Sequence, residues 1–332
     1  MRAQELFSPS PVEQSPLRLS DLPEPRPGPG QIAVRVSACG VCRTDLHIVE
    51  GDLSAPRLPV IPGHQAVGRV CGLGDGVSGW LLDERAGVFW LHRACGKCRF
   101  CLGGEENLCP DAEFTGFHHN GGYAGVLLAD AEFAVRIPDR FDDEQAAPLL
   151  CAGVIGYRSL RVAGVQPGET IGLFGFGASA HLALQAAVHW GCRVFAFTRS
   201  AEHQRHAVSL GAGWAGTAAE RLPAPLDRAV LFAPSGALVP AALAHLRPGG
   251  ILAINAIHMS DIPAFPYTLL YGERTVRSVA NATRRDAAEF LSLAAEVPIR
   301  AAVRTYGLKE ANHVLRLLKE SKLEGAAVLA PD

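Results

Sequence analysis

From Gln31 to about Arg140, apolar residues recur in short β-branched runs broken by Gly and Pro, at Ile32 to Val36, Ala66 to Val70, Tyr123 to Leu128 and Phe133 to Ile137. Runs of this kind, bounded by turn formers, predict strands, and the stretch reads as a β-rich domain. After Pro138 the period lengthens. The pattern there predicts a helix over residues 142–160, a buried strand at 169–174 and a helix over 180–190. A strand at 193–197, a helix over 201–210, a strand at 228–232, a helix over 238–246 and strands at 250–256 and 275–279 follow. Five strands alternating with helices predict an α/β fold with a doubly wound parallel sheet. The tail predicts helices near 286–295 and 308–321 and a last strand at 326–329, a unit that either domain can accommodate.

A chain of 332 residues suits about two domains at a typical ~100–200 residues each. With 48% hydrophobic and 19% charged residues, the composition is that of a globular protein and excludes a disordered one. Thirty-one Lys and Arg against 33 Asp and Glu give a net charge of −2, so no positive excess is available for a phosphate backbone or an anionic lipid surface. Neither nucleic acid nor membrane is an expected partner. No apolar run approaches the roughly 18 residues that span a bilayer, and the Pro-rich segment Met1 to Gly30 lacks a signal-peptide core, so a cytoplasmic protein is expected.

Nine cysteines, four of them within fifteen residues, suit metal ligation in a reducing compartment better than a disulfide framework. Cys95, Cys98, Cys101 and Cys109 have the spacing of a closed tetrahedral Zn²⁺ site with no open position, the mark of a structural metal. An iron–sulfur centre and disulfides are the alternatives. The segment Gly175-Phe176-Gly177-Ala178-Ser179-Ala180 has the G-x-G-x-x-A form of the dinucleotide fingerprint, with an apolar strand before it and an apolar helix after it. Gly175, Gly177 and Ala180 are therefore candidate cofactor-binding residues.

Three further segments stand apart: Cys39-Gly40-Val41-Cys42-Arg43-Thr44-Asp45-Leu46-His47, Pro62-Gly63-His64-Gln65, and Leu150-Cys151-Ala152-Gly153. Singly, each has an ordinary explanation, since buried free Cys and a His in a turn are common. Together, with the four-cysteine segment between them, they resemble the zinc-dependent alcohol dehydrogenases of the medium-chain dehydrogenase/reductase superfamily over nearly the whole chain. The resemblance implies a GroES-like β-rich catalytic domain, 1–150 and 287–332, carrying the structural-zinc lobe 93–111, and a Rossmann cofactor domain, 151–286. It implies two Zn²⁺ per chain, the second held by Cys42, His64 and Cys151 with one position open for substrate oxygen. Two thiolates and an imidazole leave such an ion Lewis-acidic. Cys39, Cys71 and Cys192 are left as ordinary thiols.

By the same resemblance Thr44 touches the substrate oxygen, His47 is the outer member of a proton relay, Asp45 orients the histidine ligand and Arg43 meets the cofactor pyrophosphate. Trp90 narrows the substrate pocket, and Leu53 stands where yeast-type members carry a second bulky residue, so a pocket wider than one for ethanol is expected. Gln65 departs from the family's usual Glu and cannot act as an anion beside the zinc. Ala326 follows Gly325 where the family commonly has Arg contacting the cofactor phosphates, so that contact is either missing or supplied by Lys322.

The implied reaction passes a hydride between a small alcohol or aldehyde and a nicotinamide cofactor. A quinone or enone reductase of the superfamily would lack the Cys42, His64 and Cys151 set, and a catalytically silent zinc and dinucleotide-binding protein would have no use for Thr44 and His47. Thr198 stands about 20 residues beyond the glycine turn, where NAD-selective sites place Asp or Glu. It is neutral, and Arg199 and Ser200 offer a charge and a hydroxyl to a 2′-phosphate, so NADP(H) is expected to be preferred and NAD(H) tolerated. A homo-oligomer is expected, a tetramer or else a dimer.

Overall fold

The structure, a computed structural model, describes residues 1–323 and 325–331. The chain forms two compact units. One comprises Met1–Cys151 with Asn281–Ala295 and the segment from Arg300 onward, and the other Ala152–Ala280 with Glu296–Ile299.

In the first unit, seven strands make one sheet around the long strand Gln31–Val41. Its first half pairs antiparallel with Val126–Asp130, and its end pairs with Ala326–Ala330, while Ala66–Leu73 runs antiparallel along its other side. A register shift between Val36 and Ala38 marks the change. A bulge there bends the strand, so that it leaves the sheet at Cys42 with Cys39 and Val41 buried. The core on which the sheet rests is aliphatic, with Leu6, Ile32, Ile48, Ile61, Leu127 and Tyr123 sealed from solvent.

Several local expectations shift. The strand expected at 123–128 is Val126–Asp130, because Gly121, Gly122 and Tyr123 bond instead to the backbone of residues 61–63. The strand expected at 133–137 shrinks to Val135–Arg136. A hairpin-like pair, Arg2–Leu6 with Leu17–Asp21, escapes the apolar pattern because it is short and mostly polar: polar Gln4 is buried beside Ala3 and Leu6, and Leu17 is the one buried residue of the second strand. The long helix expected over 142–160 is three pieces: Asp143–Pro148, a π-helical turn Leu149–Gly153, and Val154–Val162. Pro148 lacks an N–H and ends the first piece.

The second unit is a six-stranded parallel sheet, in order Trp214–Gly216, Arg193–Phe197, Thr170–Phe174, Leu226–Leu231, Leu246–Ile254 and Thr275–Ser278. The chain winds outward from Thr170–Phe174 in one direction, then returns to Leu226–Leu231 and winds the other way. The turn after Phe174 thus lies where the strand order reverses, the place where doubly wound sheets bind ligands. Five strands were expected; the sixth, Trp214–Gly216, has three residues, too few to show a period. Phe174 and Phe197 stack with centroids 3.9 Å apart at 5°, filling the space between neighbouring strands.

Candidate active site

Cys42 closes the Gln31–Val41 strand and caps the helix Arg43–Glu50. Its sulfur accepts from the Thr44 amide at 3.4 Å, and Asp45 Oδ2 accepts from the Cys42 amide at 3.0 Å. The two bonds form a capping box in which a thiol plays the part usually taken by Ser or Thr. Asp45 Oδ1 also accepts from Gly63 N and from His64 Nδ1, both at 3.1 Å. That second bond assigns the Nδ1 proton and turns Nε2 toward Cys42 Sγ, 3.3 Å away. Cys151 arrives from the π-helical turn with its sulfur 4.0 Å from Cys42 Sγ.

Two thiolates and an imidazole at about 2.3 and 2.0 Å from a tetrahedral ion stand roughly 3.6–3.8 Å from each other. The spacings here bracket that figure, and the three ligand atoms lie within 4.8 Å of one another. Electrostatics agree with the geometry. Hydrogen bonding with Cys151 outweighs burial and, with His64, holds the Cys42 thiol well below its ordinary range, and the same bond drives Cys151 up. Burial disfavours charge on His64, but Asp45 and Cys42 overcome it and hold the imidazole well above its usual value. A divalent cation exchanges for protons at such a set.

The second cluster is local. Cys95, Cys98, Cys101 and Cys109 bring four sulfurs within 4.8 Å of one another, with Cys101 3.6 Å from Cys98 and 3.9 Å from Cys95. A disulfide needs about 2.05 Å. A multi-iron cluster, which must fit between its thiolates, needs them farther apart than one ion does. The amides of Lys97 and Cys98 bring the Cys95 thiol down to about 6.

Thr44, buried in the first turn of the Arg43–Glu50 helix, has a hydroxyl that no described residue takes up. His47 Nδ1 lies 2.8 Å from Asp52 Oδ2, a partner that sequence inspection missed; left-handed Gly51 turns the chain back beneath the helix end and brings it there. The Leu53 amide donates to His47 O at 3.1 Å. Trp90 meets His64 edge to face at 5.0 Å and stacks on Phe114 at 4.8 Å, with Phe117 6.0 Å away. Phe114 and Phe117 were not singled out by sequence, where an aromatic carries no signal of its neighbours. Arg43 is exposed and reaches Ser321 Oγ at 3.5 Å. Lys322 is engaged with Glu320 at 2.8 Å. Gln65 is buried, and its Nε2 has no partner among the described residues.

In the second unit Gly175 adopts φ +91° and passes so close to Ala233 that a Cβ would sit 2.7 Å from its amide nitrogen. Gly177 opens the Ala178–His189 helix without a side-chain cap, and a Cβ there would meet nothing within 4 Å. Uncapped amides facing open space suit a pyrophosphate. Ala180 is sealed in the core. Thr198 follows the Arg193–Phe197 strand, Ser200 Oγ accepts from His203 N at 3.3 Å at the head of the next helix, and Arg199 between them is exposed.

Comparison with known proteins follows the same lines. Residues 28–139 match the alcohol dehydrogenase GroES-like domain. Over 335 aligned residues the chain is 45% identical to a probable alcohol dehydrogenase, AdhA, of Mycobacterium tuberculosis, covering 99% of this chain and 97% of that protein. It is 35% identical to an alcohol dehydrogenase of Geobacillus stearothermophilus over 94% and 95% of the two chains. Among solved structures, a cobalt- and zinc-bound thermostable alcohol dehydrogenase of Pyrobaculum aerophilum aligns with a TM-score of 0.90 at 28% identity, over 100% of this chain and 99% of that one.

Two outcomes are expected. Cys98→Ser removes one of four thiolates and should lower the thermal midpoint and release one equivalent of metal, because binding energy at a closed site is folding energy; an unchanged midpoint would count against a structural role. His92, buried in the short strand Leu91–Arg93, is held down to about 3 by burial and by His119. The unfolded chain therefore takes up a proton that the folded one refuses, and stability should fall as the pH drops from about 6.5 toward 3. His92→Phe should flatten that branch in urea titrations across the window.

Proposed function

Because the chain belongs to the zinc-dependent alcohol dehydrogenases of the medium-chain dehydrogenase/reductase superfamily, it is an oxidoreductase acting on alcohols, and we propose that Cys42, His64 and Cys151 hold its catalytic zinc and Cys95, Cys98, Cys101 and Cys109 a structural one. The observation that carries this is the convergence of the first three on one point, with Asp45 fixing the His64 tautomer.

A bound zinc would make an alcohol hydroxyl acidic near neutral pH, and a nicotinamide would accept the hydride. The chain supplies the rest. Asp45 keeps the Nδ1 proton on His64 and so keeps Nε2 available to metal. The Thr44 hydroxyl takes the substrate's proton and passes it outward, where His47, anchored by Asp52, delivers it to solvent. Trp90, held between Phe114 and His64, walls the pocket, and Leu53 in place of a larger residue favours alcohols bulkier than ethanol.

Gly175, Gly177 and Ala180 form the pyrophosphate turn, and Arg43 matches a position that meets the cofactor phosphates in the family. We assign NADP(H) as the preferred cofactor and NAD(H) as a tolerated one. Thr198 brings no negative charge to the adenosine end, and Arg199 has no ion-pair partner among the described residues. Nine free thiols suit a reducing cytoplasm, and exposed Leu102, Tyr267 and Tyr271 suit a homo-oligomer, a tetramer or else a dimer. Among the described residues no helix is long and apolar enough to cross a membrane.

The direct test is turnover of graded alcohols and aldehydes, followed by the absorbance of reduced nicotinamide on protein carrying two zincs per chain; no turnover with any of them would remove the assignment. Thr44→Ala should lower kcat by roughly 10²-fold or more at unchanged zinc content, and a rate near wild type would take Thr44 out of the relay. For the cofactor, kcat/KM with each dinucleotide decides. Wild type should favour NADP and Thr198→Asp should shift preference to NAD, so a wild type that favours NAD overturns the assignment.

A further inference from the structure

Asp45 is sealed from solvent and accepts three hydrogen bonds, from Cys42 N, Gly63 N and His64 Nδ1. A carboxylate has about four acceptor sites, so one remains. Tyr123 is equally sealed, and its hydroxyl has no hydrogen-bond partner among the described residues. Buried hydroxyls without partners are rare enough to need an explanation.

The position of the ring narrows the choice. Tyr123 N donates to Pro62 O at 3.0 Å and Gly122 N to Gly63 O at 2.8 Å, so the backbone here is zipped to the segment that carries His64. A Cβ on Gly63 would lie 2.5 Å from Tyr123 Cδ1. The phenol therefore packs on the same glycine whose amide donates to Asp45 Oδ1. Burial first, and then the charge of Asp45, push the phenol well above its ordinary range, so it stays a donor at any working pH. The other orphaned acceptor near this backbone is Gln4 Oε1, on a residue whose amide donates to Tyr123 O at 2.9 Å; it is neutral, and an ionised carboxylate is the stronger partner.

We propose that Tyr123 is a positioning residue for the catalytic ligand set: in the metal-loaded protein its hydroxyl donates to Asp45 and, with the amides of Cys42 and Gly63, holds that carboxylate in one orientation against His64. The proposal rests on the ligand assignment made above. Tyr123 touches neither substrate nor metal. It acts through Asp45, which fixes the ring of His64.

The test uses the zinc-loaded enzyme and its counterpart with cobalt at the catalytic position. In Tyr123→Phe, a chelator should remove the catalytic metal at least about tenfold faster, the lower end of what loss of such outer partners costs. The cobalt absorption bands should shift, and kcat should fall more than KM changes. The metal of the four-cysteine lobe should be released at the wild-type rate. In an Asp45→Ala background the same Tyr change should add nothing, since both acceptor oxygens are gone. Wild-type release with unchanged cobalt bands overturns the proposal, even where the thermal midpoint drops, because packing alone would then explain the ring. Additive effects of the two substitutions also overturn it and assign the hydroxyl to another acceptor, such as Gln4. A wild-type protein holding only one metal would overturn the ligand assignment itself, whereas two metals with an unaffected Phe variant would overturn the role of Tyr123 alone.

Discussion

Asp45 carries a carboxylate with none of its surface exposed, and removal of such a charge from water costs several kcal/mol unless hydrogen bonds replace the lost hydration. The replacements come from separate stretches of chain: the Cys42 amide at a strand end, and the Gly63 amide and the His64 ring on the next connection. Each donor is where it is for a backbone reason. Cys42 stands at the head of a helix, and its amide is one that the helix cannot satisfy. Gly63 adopts φ +98° under the ring of Tyr123, a position closed to any side chain. Meeting the needs of one buried anion therefore also aligns Cys42 and His64, so the demand for desolvation partners becomes the geometry of the proposed metal site.

The two cysteine clusters solve the ligation problem in opposite ways. The lobe from Cys95 to Cys109 closes within fifteen residues, and its loop-closure cost is small. The other set draws residues 42, 64 and 151 from a strand end, a connection and a π-helical turn, and exists only once the sheet around Gln31–Val41 is assembled. The local site can form early and add to stability, whereas the distant one reports on a completed fold. A closed set of four thiolates suits the first role. A set of three that leaves a position open, with the Thr44 amide on one of its sulfurs, suits chemistry.

This difference in range also decides what was legible in the sequence. The parallel sheet and the glycine turn show because their signals lie within one βα unit, as do the four cysteines at short spacings. The set proposed as catalytic came from resemblance to a family, since nothing in the spacing of Cys42, His64 and Cys151 says that they meet. Partners that only the fold creates were missed: Asp52 under His47, Phe114 and Phe117 against Trp90, and Tyr123 beside Asp45. The break at Leu149–Gly153 was read as continuous helix because a π-turn keeps the same apolar positions as the helix around it, and Pro148 alone marked the fault.

Glu106 ties the four-cysteine lobe to the segment that returns to the first unit. It lies inside the four-cysteine lobe, nearly buried, and its Oε1 accepts from both the amide and the Nε of Arg284, at 3.0 and 2.9 Å. Arg284 in turn covers the ring of Phe133 at 4.3 Å and opens the helix Arg284–Glu296, where the chain rejoins the first unit after the parallel sheet. Beside it Thr283 and Asp286 satisfy each other in a buried cap. The end of the lobe that holds Cys109 is thus fastened to the start of the returning segment by one carboxylate. Loss of the metal proposed for this lobe would slacken the backbone that aims Glu106, leaving Arg284 with Glu132 at 3.6 Å and the ring of Phe133. A metal far from the hydride path in sequence and in chemistry would in this way support the segment that carries the chain's last strands into the sheet behind Cys42.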